Sequence, residues 1–198
     1  MNLAVLILNF RTPALVEACL DSLSTEFEGQ PSWTCWVADG GSGDESSERL
    51  PAHIERCGYD WARFADLKRN GGFAFGNNRL IERAFSVPAD QRPDYVLLLN
   101  PDTVARPGSI AQLVDFLEAH PSAGLAGSRL EDPDGTLQAS SFRFPSIPGE
   151  FNGQLRFGPV HRLLSRWSTV APQPQDAPTR TDWVAGASLM MGMRRRGG

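Results

Sequence analysis

The chain has 198 residues, 41% of them hydrophobic, and a formal net charge of -4. That length supports one domain with a full core. The acidic balance excludes a general nucleic-acid binder, and no apolar run approaches the roughly 20 residues of a membrane span. Cys19, Cys35 and Cys57 are odd in number, widely spaced and without a CxxC pair. They predict reduced core thiols in a cytoplasmic chain and argue against a disulfide framework or a zinc site.

Leu3 to Leu8 is a continuous apolar run. It is too short for a signal segment and has no basic residue before it, so it reads as a strand. It ends at Asn9-Phe10-Arg11. Thr12-Pro13 then starts a helix, with a capping hydroxyl followed by proline at the first helical position. Leu15, Cys19, Leu20 and Leu23 follow at helical spacing. Trp33 to Ala38 is the next strand and ends at Asp39. The glycines of Gly40-Gly41-Ser42-Gly43-Asp44 permit a tight turn, and Ser42 or Asp44 can cap a helix reaching about Glu55.

Trp61 to Leu67 is a partly polar strand, nearer an edge. The glycine-rich stretch Lys68 to Asn78 feeds a helix with Leu80, Ile81, Ala84 and Phe85 as apolar positions. Such a turn presents backbone N–H groups and a positive dipole end to an anion. Generic nucleotide fingerprints fail here. Gly71 and Gly76 have P-loop spacing, but Asn77-Asn78 stand where a lysine and a hydroxyl are needed, and the middle glycine of G-x-G-x-x-G is missing.

Tyr95 to Leu99 contains no polar break and predicts the central strand of a parallel sheet, buried on both faces. Pro101 stops it. Asp102 is left at the carboxyl end of that strand, where ligands bind in open α/β sheets. Asn100-Pro101-Asp102 is ordinary turn chemistry; it is also a place for one carboxylate to hold a divalent metal on a diphosphate. Asp39 is open to the same two readings, a capping loop or a ligand site.

A helix follows from Arg106-Pro107-Gly108-Ser109 to about Glu118. Ala123 to Leu130 is a small strand, Asp132-Pro-Asp-Gly135 a hairpin turn and Thr136 to Ser140 its return. From about Phe144 to Thr181 prolines recur without periodicity, with a short helix near Val160 to Trp167. A long excursion of this kind is usually functional or mobile. Trp183 to Met191 resumes strand character, and Arg194 to Arg196 read as a solvated tail. His53, His120 and His161 read as solvated side chains. No G-x-S-x-G nucleophile elbow is present.

Strands alternate with helices from the first residue, which predicts an α/β fold with a mostly parallel sheet. Asn9, Arg11, Asp39 and Asp102 then share one sheet edge with a glycine-rich turn, a polar crescent suited to a nucleotide diphosphate and a metal.

The motifs in chain order are Asn9 at a strand end, Val37-Ala-Asp39-x-x-Ser42-x-Asp44-x-Ser46, Asn70-x-Gly72-Phe73-x-x-Gly76-Asn77-Asn78, Leu97-Leu-Leu-Asn100-Pro101-Asp102, and Trp183-x-x-Gly186-Ala187 before a run of arginines. Their order and spacing resemble the family 2 inverting glycosyltransferases of the GT-A fold. Within them the rhamnosyltransferase-like branch, which works on bacterial surface polysaccharides, matches best. The resemblance implies a Rossmann-like α/β/α sandwich in a single domain. Residues 1–130 would form its nucleotide-sugar-binding half, and residues 131–198 would begin the acceptor half.

The resemblance also implies roles. Asp39 would accept the imide N–H of uracil or thymine, and Asn9 and Arg11 would line the base and ribose side. Asn100 and Asp102 belong to the metal-binding motif, with Asp102 on Mg²⁺ or Mn²⁺. Gly72, Gly76, Asn77 and Asn78 would pack against a UDP- or dTDP-sugar donor. Trp183 and Gly186 would shape the side of a glycan or lipid-linked acceptor, met at the inner membrane face.

The sequence departs from the family's pattern in three places. Gly40 stands where the family usually has Asn, and Leu80 where it often has a small residue. The family also continues past the glycine-alanine strand into a Phe-Asp-Glu segment that supplies the general base, and Gly197-Gly198 is where this should begin. The expectation is a truncated member with no assigned catalytic base; the alternative function is a non-catalytic nucleotide-sugar-binding domain. A truncated sheet would also leave Leu189, Met190 and Met191 uncovered and prone to self-association.

Overall fold

The apolar run at the amino terminus forms β1 (Leu3–Asn9), followed by α1 (Pro13–Phe27), β2 (Trp33–Asp39), α2 (Ser46–Cys57) and β3 (Ala62–Asp66). Then come α3 (Gly72–Phe85), β4 (Tyr95–Leu99), α4 (Ser109–Ala119) and the short β5 (Leu125–Gly127). Four two-residue strands follow: β6 (Leu130–Glu131), β7 (Leu137–Gln138), β8 (Ser141–Phe142) and β9 (Trp183–Val184). β10 (Ser188–Gly192) is the last. The computed structural model describes residues 1–144 and 177–193. The expected helix at 160–167, His161, most of the proline-rich excursion and the arginine tail lie outside the described residues.

The chain divides into two compact units. The first, Met1–Ala126 with Gly186–Gly198, is built on a sheet of order β3-β2-β1-β4-β10-β5. β1, β2, β3 and β4 are parallel, and β10 runs antiparallel to β4. The sheet is therefore mixed but mostly parallel, as expected. The chain leaves β1 toward β2 and β3, then returns to place β4 on β1's other side. The ends of β1 and β4 thus form a topological switch point, where a crevice opens between loops that diverge.

Side chains alternate along β1 between two cores. Leu3, Val5 and Ile7 pack with Val16, Leu20 and Leu23 of α1, Leu50 of α2 and Val114 of α4. Ala4 and Leu6 pack on the other face with Leu80 and Ala84 of α3. Helices thus cover both faces, and β4 is buried along its whole length. That double burial is why the central strands show no polar alternation.

The second unit, Gly127–Ala185, holds two small antiparallel pairs, β6–β7 and β8–β9. The expected turn closes with Gly135 N–H donating to Asp132 O at 2.8 Å.

Several expectations change. α3 begins at Gly72, so most of the glycine-rich stretch is helix and not the turn before it. The strand expected from Trp183 to Met191 is two strands in different units, broken at Ala185-Gly186-Ala187. The strand from Ala123 to Leu130 likewise splits into β5 and β6. Of the three residues expected to be uncovered, Met190 is fully buried in the core that α1 and α4 cover, while Leu189 and Met191, on the other face, are half-buried. His53 is buried and paired with Asp21, not solvated. Cys19 and Cys35 are core thiols, but Cys57 is exposed at the end of α2. Among the described residues no helix is long and apolar enough to cross a membrane.

Two contacts outside the core lend themselves to test. Gly41 has φ +73°, and a Cβ there would lie 2.6 Å from Arg69 N. Both the left-handed backbone and the backbone contact exclude a side chain. Gly41→Ala is expected to cost at least about 2 kcal/mol by chemical denaturation. Arg49 joins α2 to α1 through a two-pronged pair with Glu17, at 2.8 and 2.7 Å. The hydrogen bond from Arg49 holds the Glu17 carboxyl below its ordinary value. A depressed carboxyl stabilises the fold above its unfolded pKa and loses that contribution as pH falls through the folded one. The stability gap between the wild type and Glu17→Gln should therefore be larger at pH 7 than at pH 3.

Candidate functional site

The ends of β1 and β2 are tied by a buried polar knot. Asn9 and Asp39 are register partners. Asn9 Nδ2 donates to Asp39 Oδ1 at 2.7 Å, and Ser42 Oγ donates to the same oxygen at 2.5 Å. The N–H groups of Gly41 and Ser42 donate to Asp39 Oδ2 at 3.1 and 2.9 Å. Asn9 Oδ1 accepts from Thr12 N at 3.1 Å and Thr12 Oγ1 at 3.2 Å. This anchors the residue that precedes α1. Arg11 sits at φ +60°, a conformation that costs a side-chain-bearing residue roughly 1–2 kcal/mol. Its N–H donates to Ser42 Oγ at 2.8 Å and its Nε to Ser42 O at 3.1 Å, which hold it there.

A cleft of about 240 Å³ opens at the switch point. Leu8, Phe10, Leu15, Phe73 and Leu99 form its apolar walls; Thr12, Asn77, Asn100 and Asp102 are its polar groups. Asn77 is mostly buried, with its Nδ2 donating to Phe73 O at 2.9 Å. Asp102 is exposed, and among the described residues no hydrogen bond reaches its carboxylate. A shallower cleft of about 420 Å³ flanks the start of α1, lined by Arg11, Arg49, Asp44 and Glu45. The two clefts share Thr12 and Leu15.

The turn carrying Asp102 is braced from two sides. Asn100 N donates to Ala187 O at 2.8 Å, just before β10. From α1, Cys19 Sγ donates to Asn100 O at 3.9 Å. Ser22 Oγ accepts from Ala105 N at 2.9 Å. The Glu26 carboxylate accepts from Gly108 N and, at 2.9 Å, from Ile110 N. Cys19, Ser22 and Glu26 share one face of α1 by helical spacing. Burial pushes the Cys19 thiol up to about 12, with the nearby Asp102 charge adding to the effect. Cys19 therefore stays a protonated donor.

The structure brings together Arg11, Asn77, Asn100 and Asp102 as residues lining the two clefts. Asn9 and Asp39 lie beneath the loops, buried, with their polar atoms engaged. A base reaching Asp39 would have to displace one of its donors. Gly76 is where α3 crosses β1: a Cβ would meet Leu8 Cδ2 at 2.4 Å. Gly72 is the first residue of α3, at φ +83°. Asn78 is exposed and lines neither cleft. Gly186 is in the first unit, where a Cβ would sit 3.8 Å from Phe73 Cζ. Trp183 belongs to the second unit, stacked on Phe142 with centroids 4.1 Å apart.

Sequence reasoning did not select Phe10, Thr12, Ser42, Phe73 or Glu26 as site residues. Ser42 and Phe73 had a signal, since both stand inside the quoted motifs. Glu26 had only its spacing from Cys19.

Glu26 caps α4 from another helix, at the end where the dipole favours a carboxylate. Glu26→Ala leaves two backbone donors without their acceptor. It is expected to cost about 1–3 kcal/mol in urea unfolding, with Glu26→Gln losing less.

The family model described as "Glycosyl transferase family 2" matches residues 4–171. N-acetylglucosaminyl-diphospho-decaprenol L-rhamnosyltransferase of Mycobacterium tuberculosis is 29% identical, over 89% of this chain and 56% of its own length. The chain thus spans about half the length of the curated relatives it matches. Among solved structures, the mannosyltransferase PcManGT from Pyrobaculum calidifontis, in complex with GDP-Man and Mn²⁺, aligns with a TM-score of 0.57. It is 17% identical, over 67% of this chain and 36% of that one. Glucosyl-3-phosphoglycerate synthase from M. tuberculosis, with Mn²⁺, UDP and phosphoglyceric acid, aligns with a TM-score of 0.53. It is 16% identical, over 96% of this chain and 55% of that one. The fold is of the GT-A type, and with the family model spanning most of the sequence, the chain belongs to glycosyl transferase family 2.

Proposed function

We propose that the first unit is the donor-binding half of a metal-dependent inverting glycosyltransferase. Its donor is a UDP- or dTDP-sugar, rhamnose or similar, and its acceptor a glycan or lipid-linked glycan of cell-surface polysaccharide, met at the inner membrane face. The observation that carries the donor site is Asp102. It is an exposed carboxylate lining the cleft at the switch point, with no hydrogen-bond or ion-pair partner among the described residues, on a braced turn. An exposed carboxylate on a fixed backbone fits a hard divalent cation such as Mg²⁺ or Mn²⁺. Such an ion, when bound, supplies charge neutralisation for the departing diphosphate. The Mn²⁺ and nucleotides named for the structural neighbours support the same reading.

The chain's own residues do the positioning. Asn100 and Thr12 both line the cleft and offer polar contacts for the donor. Phe10, Leu15 and Phe73 supply apolar surface, and Asn77 adds a polar edge. Arg11 offers a cation beside the flanking cleft, where the nucleoside would lie. Asn9 and Asp39 hold the loop that presents Arg11.

A second reading, donor binding without transfer, is favoured by one observation. Among the described residues Asp102 is the single carboxylate lining the cleft at the switch point. Inverting transfer needs a base within hydrogen-bond reach of the acceptor hydroxyl, and a carboxylate engaged by a metal cannot serve.

Calorimetric titration with UDP and with dTDP, each with and without Mn²⁺, tests the donor site. Metal-dependent binding that weakens at least about tenfold in Asp102→Ala is the expected result. Equal binding without metal, or in Asp102→Ala, would overturn it. A parallel assay of donor hydrolysis and sugar transfer separates the two readings: binding with turnover supports the transferase, and binding without it supports the second.

A further inference from the structure

A second group of metal-ligating side chains lies further along α1, outside both clefts. Asp21 projects from α1, and His53 and Cys57 stand one turn apart on α2. One donor atom from each lies within 4.8 Å of the others. His53 Nε2 is 2.8 Å from Asp21 Oδ1 and 3.8 Å from Cys57 Sγ. His53 is buried while Asp21 and Cys57 face solvent, which gives an ion an entry path. We propose that Asp21, His53 and Cys57 form a binding site for a borderline divalent cation such as Zn²⁺, pinning α1 to α2.

The donor set sets the preference. One thiolate, one imidazole and one carboxylate suit Zn²⁺ or Co²⁺ and not Mg²⁺, which takes oxygen. Zinc bonds of about 2.0–2.3 Å place tetrahedral donors roughly 3.3–3.8 Å apart. His53 to Cys57, at 3.8 Å, is already there; His53 to Asp21, at 2.8 Å, must open by about half an ångström and Asp21 to Cys57, within 4.8 Å, close by up to about 1 Å.

Outer groups lie close by. Metal-bound imidazoles commonly donate their other N–H to a carboxylate. Glu17 Oε1 lies 3.9 Å from His53 Nδ1, and Arg49 fixes that carboxylate. Tyr59 Oη donates to Asp21 Oδ1 at 2.8 Å and holds the third ligand.

In the structure Arg56 Nη2 sits 2.9 Å from His53 Nδ1. A guanidinium only donates, so Nδ1 accepts and Nε2 carries the proton toward Asp21. Binding reverses this tautomer. Nε2 gives up its proton and takes the metal, Nδ1 gains a proton and donates it to Glu17, and exposed Arg56 turns to solvent. The Cys57 thiol loses its proton to water as the metal–sulfur bond forms, so one proton is released per ion.

Titration of the reduced chain with Co²⁺ tests the site. The expected result is a near-ultraviolet sulfur-to-cobalt charge-transfer band with visible ligand-field bands, saturating at one ion per chain. Zn²⁺ should abolish them and Mg²⁺ should not. The charge-transfer band should vanish in Cys57→Ser and persist in Asp102→Ala. Zn²⁺ should raise the thermal midpoint of the wild type and not of Cys57→Ser. No charge-transfer band in the folded wild type, or the same band in Cys57→Ser, would overturn the proposal.

Discussion

The buried bonding of Asn9, Asp39 and Ser42 is the constraint on which the site depends. It occupies the carboxyl ends of two neighbouring parallel strands, where the chain must leave the sheet without stranding polar groups. Each of these side chains satisfies donors or acceptors that a bare loop would leave buried and unpaired, at about 1–3 kcal/mol apiece. Because Asn9 and Asp39 are register partners, a slip of one strand would break the whole set. The knot therefore specifies register as well as loop shape. It also accounts for the left-handed backbone at Arg11 and for the point where α1 starts.

α1 carries that constraint across the site. Its amino end is fixed by Asn9 through Thr12, beside the cleft. Further along, Cys19, Ser22 and Glu26 hold backbone groups of the segment from Asn100 to Ile110. One helix thus joins Thr12, which lines the cleft, to the turn bearing Asp102. A rigid backbone suits a lone metal-binding carboxylate, since the entropy of placing it has been met in folding and not at binding. It also explains why Asp102 can be exposed and, among the described residues, without a partner: the turn is held by its neighbours, so the fold does not rest on the carboxylate.

Much of this was legible because continuous apolar runs mark strands covered on both faces. Leu3 to Leu8 and Tyr95 to Leu99 could hardly be anything else once turn residues bounded them. Asp102 was legible as a position, since Pro101 must end the strand. The opposite happened at Trp183 to Met191, where one strand-like run serves two units. Nothing local distinguishes a break at Gly186 from a bulge. His53 was misread because burial of a polar side chain depends on a partner from another helix, and Asp21 is remote in sequence. Glu26 escaped for the same reason: its targets are backbone N–H groups far along the chain, and backbone groups leave no residue-type signal. Gly76 was legible as a glycine that matters. That its neighbour is Leu8, and not a ligand, follows only from the crossing of α3 over β1.

The chemistry of the cleft separates binding from transfer. A metal-held diphosphate requires anionic or neutral oxygen near the ion, and Asp102, Asn100 and Thr12 are oxygen-bearing residues that line the cleft. Deprotonating an acceptor hydroxyl requires a second carboxylate kept apart from the ion, because a metal-engaged oxygen has lost its basicity. Placing both acids on one short turn would draw both onto the ion, since added carboxylate charge holds a divalent cation more tightly, and would leave neither free as a base. A scaffold that braces a single acid at the switch point thus does the first task best when the second acid comes from elsewhere. Among the described residues the cleft is lined by one acid, Asp102, on a turn held from two sides.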